Sequence, residues 1–283
     1  MASSFLICQR NRIDSATLSG GSWQTALANV QDQRLSKVAR SSDLELSSTR
    51  IAVDLGTERT INTAFLSGHN CDLDALVRVT GYADAALSEV EYDSGWLSVY
   101  PPIFDTSSLE WEAENWWSGQ ILSEDIDGYP RQFALTFPDQ WLRYWLFEFN
   151  NQANAAGYLN IGRLLLGQGT VLSGKVTRTP TLGVETDTSI TRSISGAPYA
   201  RRRPSRRVAQ FRIEAMDQLG AAQAIHMAYE RGVDRDVLVS YATDDPLLFQ
   251  GWTILGRMRA LSPAEYTETD FAAMNYEIEE ING

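Results

Sequence analysis

Lysine is nearly missing from this chain: of its 24 basic residues only Lys37 and Lys175 are lysine, and the rest are arginine. Cysteine is as scarce, with Cys8 and Cys71 the only two in 283 residues, so no disulfide framework is expected and the core must stand on burial. Neither cysteine nor either histidine, His69 and His226, has a zinc-type partner spacing, and no metal or cofactor is expected. Asp72 with Asp74, and Asp125 with Asp127, alternate as in calcium loops but lack the glycine and distal glutamate that complete one, so solvated turns account for both pairs. Long apolar runs are missing too. No segment approaches the ~20 apolar residues of a membrane span, and the opening Met1–Arg12 is too short and too poor in basic residues for a signal peptide. The expectation is a protein folded in a cytoplasm and not inserted in a membrane.

The charge balance is negative, at −12, which argues against a nucleic-acid binder because phosphate contacts need a basic surface. Enzyme signatures are missing as well: there is no Gly-x-Ser-x-Gly elbow, no phosphate-binding loop and no His-Glu-x-x-His. Only a pair of glycosidase carboxylates stays open among so many acids.

What is present is strand pattern. Ile51–Leu55 alternates up to Gly56, and Ile61–Leu66 follows and ends in a His69–Asn70 corner. Val77–Tyr82, Trp96–Tyr100, Phe133–Phe137, Leu142–Phe149 and Tyr158–Leu166 have strand lengths and are separated by Gly, Pro, Asn and Asp clusters. The spacing predicts a β-sandwich over residues 1–168, with one short helical turn at Ser22–Val30. Residues 169–205 are rich in Thr, Ser and Gly and read as a linker or extended arm closing on the arginine run Arg201, Arg202, Arg203, Arg206 and Arg207. Residues 206–283 read as a separate α+β unit. A strand at Val208–Glu214 precedes a helix from Met216 to Arg231, whose apolar Met216, Leu219, Ala222, Ile225 and Tyr229 recur at helical spacing before Gly232. Strands at Asp236–Tyr241, Phe249–Met258 and Tyr276–Ile281 complete it.

Two features point to partners. Trp96, Trp141 and Trp145 sit inside strand patterns and are expected in the core. Trp111, Trp116 and Trp117 lie in a polar, acidic stretch, where indoles serve a subunit contact first and a sugar ring second. Between Arg78 and Arg131 no basic residue occurs, while Asp84, Glu110, Glu112, Glu114 and Asp125 are among the acids inside. An acidic face and an arginine arm on one chain favour head-to-tail contacts between copies.

Residues 5–168 resemble a discoidin, or galactose-binding-like, jelly roll. The matching pieces are Gly21-Ser22-Trp23, Ile51–Gly56, Ile61, the His69–Asn70 corner, Val77–Tyr82, Arg143-Tyr144 and Gly157–Arg163. Residues 206–283, with Asp244-Asp245-Pro246, Gly251–Arg257 and Glu279-Glu280, are similar to tail-tip proteins of tailed bacteriophages. The combination looks like a distal tail or baseplate ring protein of a long-tailed phage, although in the better-known members the ring-forming part comes first. This resemblance implies a mainly β structural virion protein at the tail tip, made in the host cytoplasm. It implies a homo-oligomeric ring, a hexamer in such proteins, contacting the tail tube and other tail-tip proteins. The alternative is a carbohydrate-binding adhesin contacting host surface glycans, and the third reading is a glycan hydrolase with an appended binding module.

Overall fold

The computed structural model describes residues 5–171, 175–176, 180–193, 196–241, 245–266 and 270–281, so Asp244 of the Asp-Asp-Pro motif lies outside the described residues. The protein is mainly β, as expected, and clusters into two compact units. The first comprises residues 1–170 and Ser240–Thr253, and the second comprises Val171–Val239 and Ile254–Asn282. Ser240–Thr253 thus belongs with the sandwich rather than with the C-terminal residues around it.

Two long strands dominate the first unit. β1 (Arg50–Ser67) joins in one strand what the pattern divides at Gly56. β4 (Gln132–Asn150) runs straight through Pro138, where two strands were expected. Between them come β2 (Leu76–Tyr82) and β3 (Val90–Asp93), and β5 (Arg163–Gly167) follows; the order across the sheet is β5-β1-β4-β2-β3. The β1–β4 register shifts between Asp54 and Arg59 and again between Ile61 and Thr63. Bulges of this kind bend a strand and change which side chains face inward. Accordingly Ile51, Val53 and Ile61 face the core before the second shift, and Ala64 and Leu66 after it. They meet Val77, Val79, Phe147, Phe149 and Leu164 around Trp145 in one continuous core. Gly56 is the left-handed residue of the first bulge, with its N–H donating to Asp54 Oδ1 at 2.8 Å, so it kinks the strand and does not reverse it.

Trp145 alone of the three expected core tryptophans is buried, whereas Trp96 and Trp141 are exposed. The Ser22–Val30 turn forms as a 3-10 helix at Leu27–Gln31. The His69–Asn70 corner is internal. Asn70 donates to the Tyr158 carbonyl at 3.0 Å and accepts from the Asn160 N–H at 2.7 Å, while buried His69 accepts from the Cys71 N–H through Nδ1 at 3.3 Å.

In the second unit β6 (Thr181–Thr186) pairs along β9 (Ser205–Met216), so part of the expected linker is an edge strand. β7 (Ser189–Arg192) and β8 (Pro198–Arg201) form a hairpin that is its own two-stranded sheet. Helix α1 (Gln218–Arg231) begins at Asp217, whose carboxylate accepts from the Gly220 N–H at 2.7 Å, and ends at left-handed Gly232. Its buried face is Gly220, Ala221, Ala224, Met227 and Ala228. The stripe Leu219, Ala222, Ile225 and Tyr229 that the spacing assigns to the core faces solvent instead, because small residues let the helix approach the sheet more closely. β10 (Asp236–Tyr241), β11 (Thr253–Met258) and β12 (Ala272–Glu280) follow, with β12 between β11 and β9. The expected strand at Phe249–Met258 begins late. Asp245 caps a short helix α2 (Pro246–Trp252) by accepting from the Leu247 N–H at 3.0 Å, and Pro246 at its first position favours helix there. Among the described residues no helix is long and apolar enough to cross a membrane.

Candidate functional site

A long connection between Val99 and Arg131 carries the three tryptophans. It is anchored at its base, where the Val99 N–H bonds to the Ala75 carbonyl at 2.9 Å and Ile121 enters the core. Gln120 clasps it from inside, donating to the Tyr100 carbonyl at 2.6 Å and to Ser98 Oγ at 3.1 Å. Asn115 donates to the Gln120 carbonyl at 2.8 Å, and the N–H groups of Ile103 and Phe104 both reach the Gly119 carbonyl. Gly119 is left-handed, and a Cβ there would stand 2.7 Å from the Phe104 carbonyl oxygen, so no other residue fits this crossing. The connection is therefore a braced loop.

On that frame Trp111 and Trp116 meet edge to face, with ring centroids 5.0 Å apart. Trp116 is half-buried, while Trp111 is 73% exposed and Trp117 is 92% exposed. An indole left in water forfeits the burial of a large apolar area, so two of them on one braced loop form an unpartnered apolar surface. Glu112 and Glu114 stand between them in sequence, and Glu110 precedes Trp111. Indole faces accept the C–H face of a pyranose ring, and carboxylates accept hydrogen bonds from its hydroxyls.

The arginine run lies in the second unit and is divided in two. Arg201 closes the β7–β8 hairpin opposite Ser189, and Arg202 and Arg203 beyond it are exposed. Arg206 and Arg207 lie inside β9. Arg206 pairs with Asp187 at 2.7 Å and reaches Glu279 at 3.2 Å, while Arg207 grips Glu280 at 2.5 Å. Arg259 bonds Glu185, Glu277 and Glu279 beside them, so this face is an alternating ion-pair mesh within the unit. The expected arm is thus split between the exposed Arg201, Arg202 and Arg203 and the ion-paired Arg206 and Arg207 of β9.

Burial, and then the neighbouring Asp74 charge, push the Asp72 carboxyl above the usual carboxylate range. Among the described residues no group of three His, Cys, Asp or Glu side chains is spaced to hold a metal ion.

The sequence pattern missed two side-chain arrangements in the first unit. One is a buried amide clasp: Gln250 of α2 bonds both backbone groups of Ala134, with Oε1 accepting at 2.9 Å and Nε2 donating at 2.7 Å. Nothing in a lone glutamine announces this. The other surrounds Trp141, where the Asp54-Leu55-Gly56 spacing is the signal of a bulge.

The fold defines a class, a mainly β protein made of a sandwich unit and a smaller α+β unit. No family model matches the chain, and no curated protein matches it. Among solved structures the chain is similar to a Ruminococcus gnavus GH29 fucosidase in complex with fucose, at 11% identity and a TM-score of 0.37. That match covers 57% of this chain and only 27% of the fucosidase. It is also similar to the lectin domain of lectinolysin complexed with Lewis B antigen, at 13% identity and a TM-score of 0.39, covering 57% of this chain and 98% of that one. A CBM32 module from a family 31 glycoside hydrolase of Clostridium perfringens matches at 13% identity and a TM-score of 0.35, covering 56% of this chain and 99% of the module.

Proposed function

We propose that the protein is a carbohydrate-binding protein whose sandwich presents the Trp111–Trp117 loop to cell-surface glycans, acting by recognition and not by catalysis. The observation that carries this reading is the pair of exposed indoles on a loop braced by Gln120, Asn115 and Gly119. A braced loop loses little conformational freedom on binding, so the stacking energy is kept. Glycan-array binding followed by calorimetry on the best ligand tests it. Trp117→Ala and Trp111→Ala each weaken binding by about fivefold or more, since a stacked aromatic contributes on the order of 1 kcal/mol or more. Trp117 is 92% exposed, so Trp117→Ala keeps the wild-type melting temperature, while Trp111→Ala also loses the edge-to-face contact with Trp116. A ligand bound equally well by the double variant defeats the proposal.

Assembly into a tail-tip ring is the second reading. It is favoured by the free-standing β7–β8 hairpin, with Ile190 and Tyr199 exposed, and by the apolar outer stripe of α1. Two-stranded hairpins are marginal in water by themselves, and a neighbouring copy would cover this one. Sedimentation decides between the two readings: a ring-sized oligomer that dissociates when Arg201, Arg202 and Arg203 become glutamate supports assembly, and a monomer that binds glycan supports recognition alone.

A further inference from the structure

Trp141 stands in the middle of β4, opposite Thr60 of β1, yet 64% of it is exposed. Its orientation is fixed, because the indole N–H donates to Glu58 Oε2 at 2.8 Å. The bulge places that carboxylate. Leu55–Glu58 are fitted between the pairs Asp54–Tyr144 and Arg59–Leu142, where β4 supplies only Arg143. Arg143 turns to Asp54 and grips it with two bonds, at 2.6 and 2.8 Å, which holds the Asp54 carboxyl below the usual carboxylate range.

Tyr82, at the end of β2, and Glu91 of β3 close the other side. Together with Glu58, Gln140, Trp141 and Arg143 they line a concavity of about 340 Å3, the size of a small-ligand site. Its charge is legible residue by residue. Arg143 cancels Asp54, which leaves Glu58 and Glu91, two negative charges, beside an open indole face. Acidic sugars are repelled by that arrangement. A ring that offers a C–H face to the indole, hydroxyls to Gln140 and the carboxylates, and a cation to Glu58 and Glu91 is complementary to it.

We infer that this concavity is a saccharide subsite for a cationic amino sugar, a hexosamine with a free ammonium group. The inference does not rest on the tryptophan loop. The two sites share no residue, and they lie toward opposite ends of β2: the loop leaves beside Ala75, and the concavity sits at Tyr82.

Calorimetry on the full chain, with a glucosamine trimer at a pH where its amines are protonated, tests it. The expected result is binding of this trimer about tenfold tighter than of the N-acetylated trimer, because acetylation removes the cation. Trp141→Ala and Glu91→Gln each weaken the glucosamine trimer by about tenfold, and Trp141→Phe restores most of the affinity. Because Trp141 and Glu91 are exposed, melting temperature confirms that the variants fold. Equal affinity for the two trimers, equal affinity for the ring-free polyamine spermidine, or indifference to Trp141→Ala overturns the inference. Loss of neutral-glycan binding in Trp117→Ala is scored separately, so failure here leaves the loop reading standing, and the reverse also holds.

Discussion

The buried Gln250 clasp makes the sharpest prediction about this fold. In an antiparallel ladder, alternate residues turn their N–H and C=O away from the paired strand. Ala134 is such a residue: it pairs with Phe65 on one side, and β2 covers β4 only from Tyr144 to Asn150, so its outward groups meet no strand. The Gln250 amide takes the strand's place, accepting from the Ala134 N–H and donating to its C=O, with the glutamine 4% exposed. Gln250→Ala strands both groups in a buried setting. An unsatisfied buried backbone group costs about 1–3 kcal/mol, so two of them, partly relieved by water entering the vacated space, cost about 3 kcal/mol. Urea denaturation followed by circular dichroism reads that loss as a shifted midpoint at constant slope. Hydrogen exchange at the Ala134 amide gives a local readout and accelerates in the variant. Gln250→Glu sharpens the test, because a carboxylate accepts from the N–H but opposes the C=O. Burial and that carbonyl raise its folded pKa above the unfolded value of about 4.3. The variant's deficit is therefore absent below about pH 4, grows as pH rises, and is complete above the raised folded value. Stability within about 0.5 kcal/mol of wild type for Gln250→Ala, with Ala134 exchange unchanged, refutes the reasoning.

Two further predictions concern buried charge. Burial first, and then the nearby Arg131 charge, push the His69 pKa down to about 3 against a bond to the Gln132 backbone, so the folded state holds a neutral imidazole. The unfolded chain binds a proton near pH 6.5, so stability is full above that pH and falls below it by up to about 1.4 kcal/mol per pH unit. Denaturation between pH 7.5 and 5 measures the slope, and a His69→Phe variant with the same slope refutes the assignment. Arg163 is fully buried, paired with Asp14 at 2.7 Å and bonded to the Gln31 carbonyl at 2.5 Å. Asp14 is exposed and keeps its bond from Asn11, so Arg163→Met strands chiefly the Gln31 carbonyl and costs about 1–3 kcal/mol. An unchanged denaturation midpoint shows the pair to be dispensable.

Local signals in the sequence are informative where they report backbone conformation. Alternating Val, Ile and Leu marked β1 and β2, Gly232 marked the end of α1, and the polar setting of Trp111 and Trp117 marked exposed indoles, with Trp116 between them half-buried. The same signals misled where burial depends on distant neighbours. Trp141 sits in a strand pattern like that of Trp145, yet only Trp145 faces the core, because the bulged β1 opposite Trp141 changes the alternation. Helix α1 shows two candidate faces, and the more apolar one lost to the smaller one, since close approach to a sheet is limited by side-chain volume.

By itself the sequence determined that this is a mainly β, acidic chain with little lysine and cysteine, folded around alternating strands and carrying a tryptophan loop. These properties follow from composition and from contacts a few residues apart. Only the tertiary structure decided that Arg206 and Arg207 are held by Asp187, Glu279 and Glu280, that Gln250 stands in for a missing strand at Ala134, and that Glu58 steadies an outward Trp141. Each of those arrangements joins residues about 20 to 116 positions apart. Such partners are chosen by sheet register and by the need to satisfy buried polar groups, and neither is written in the local pattern.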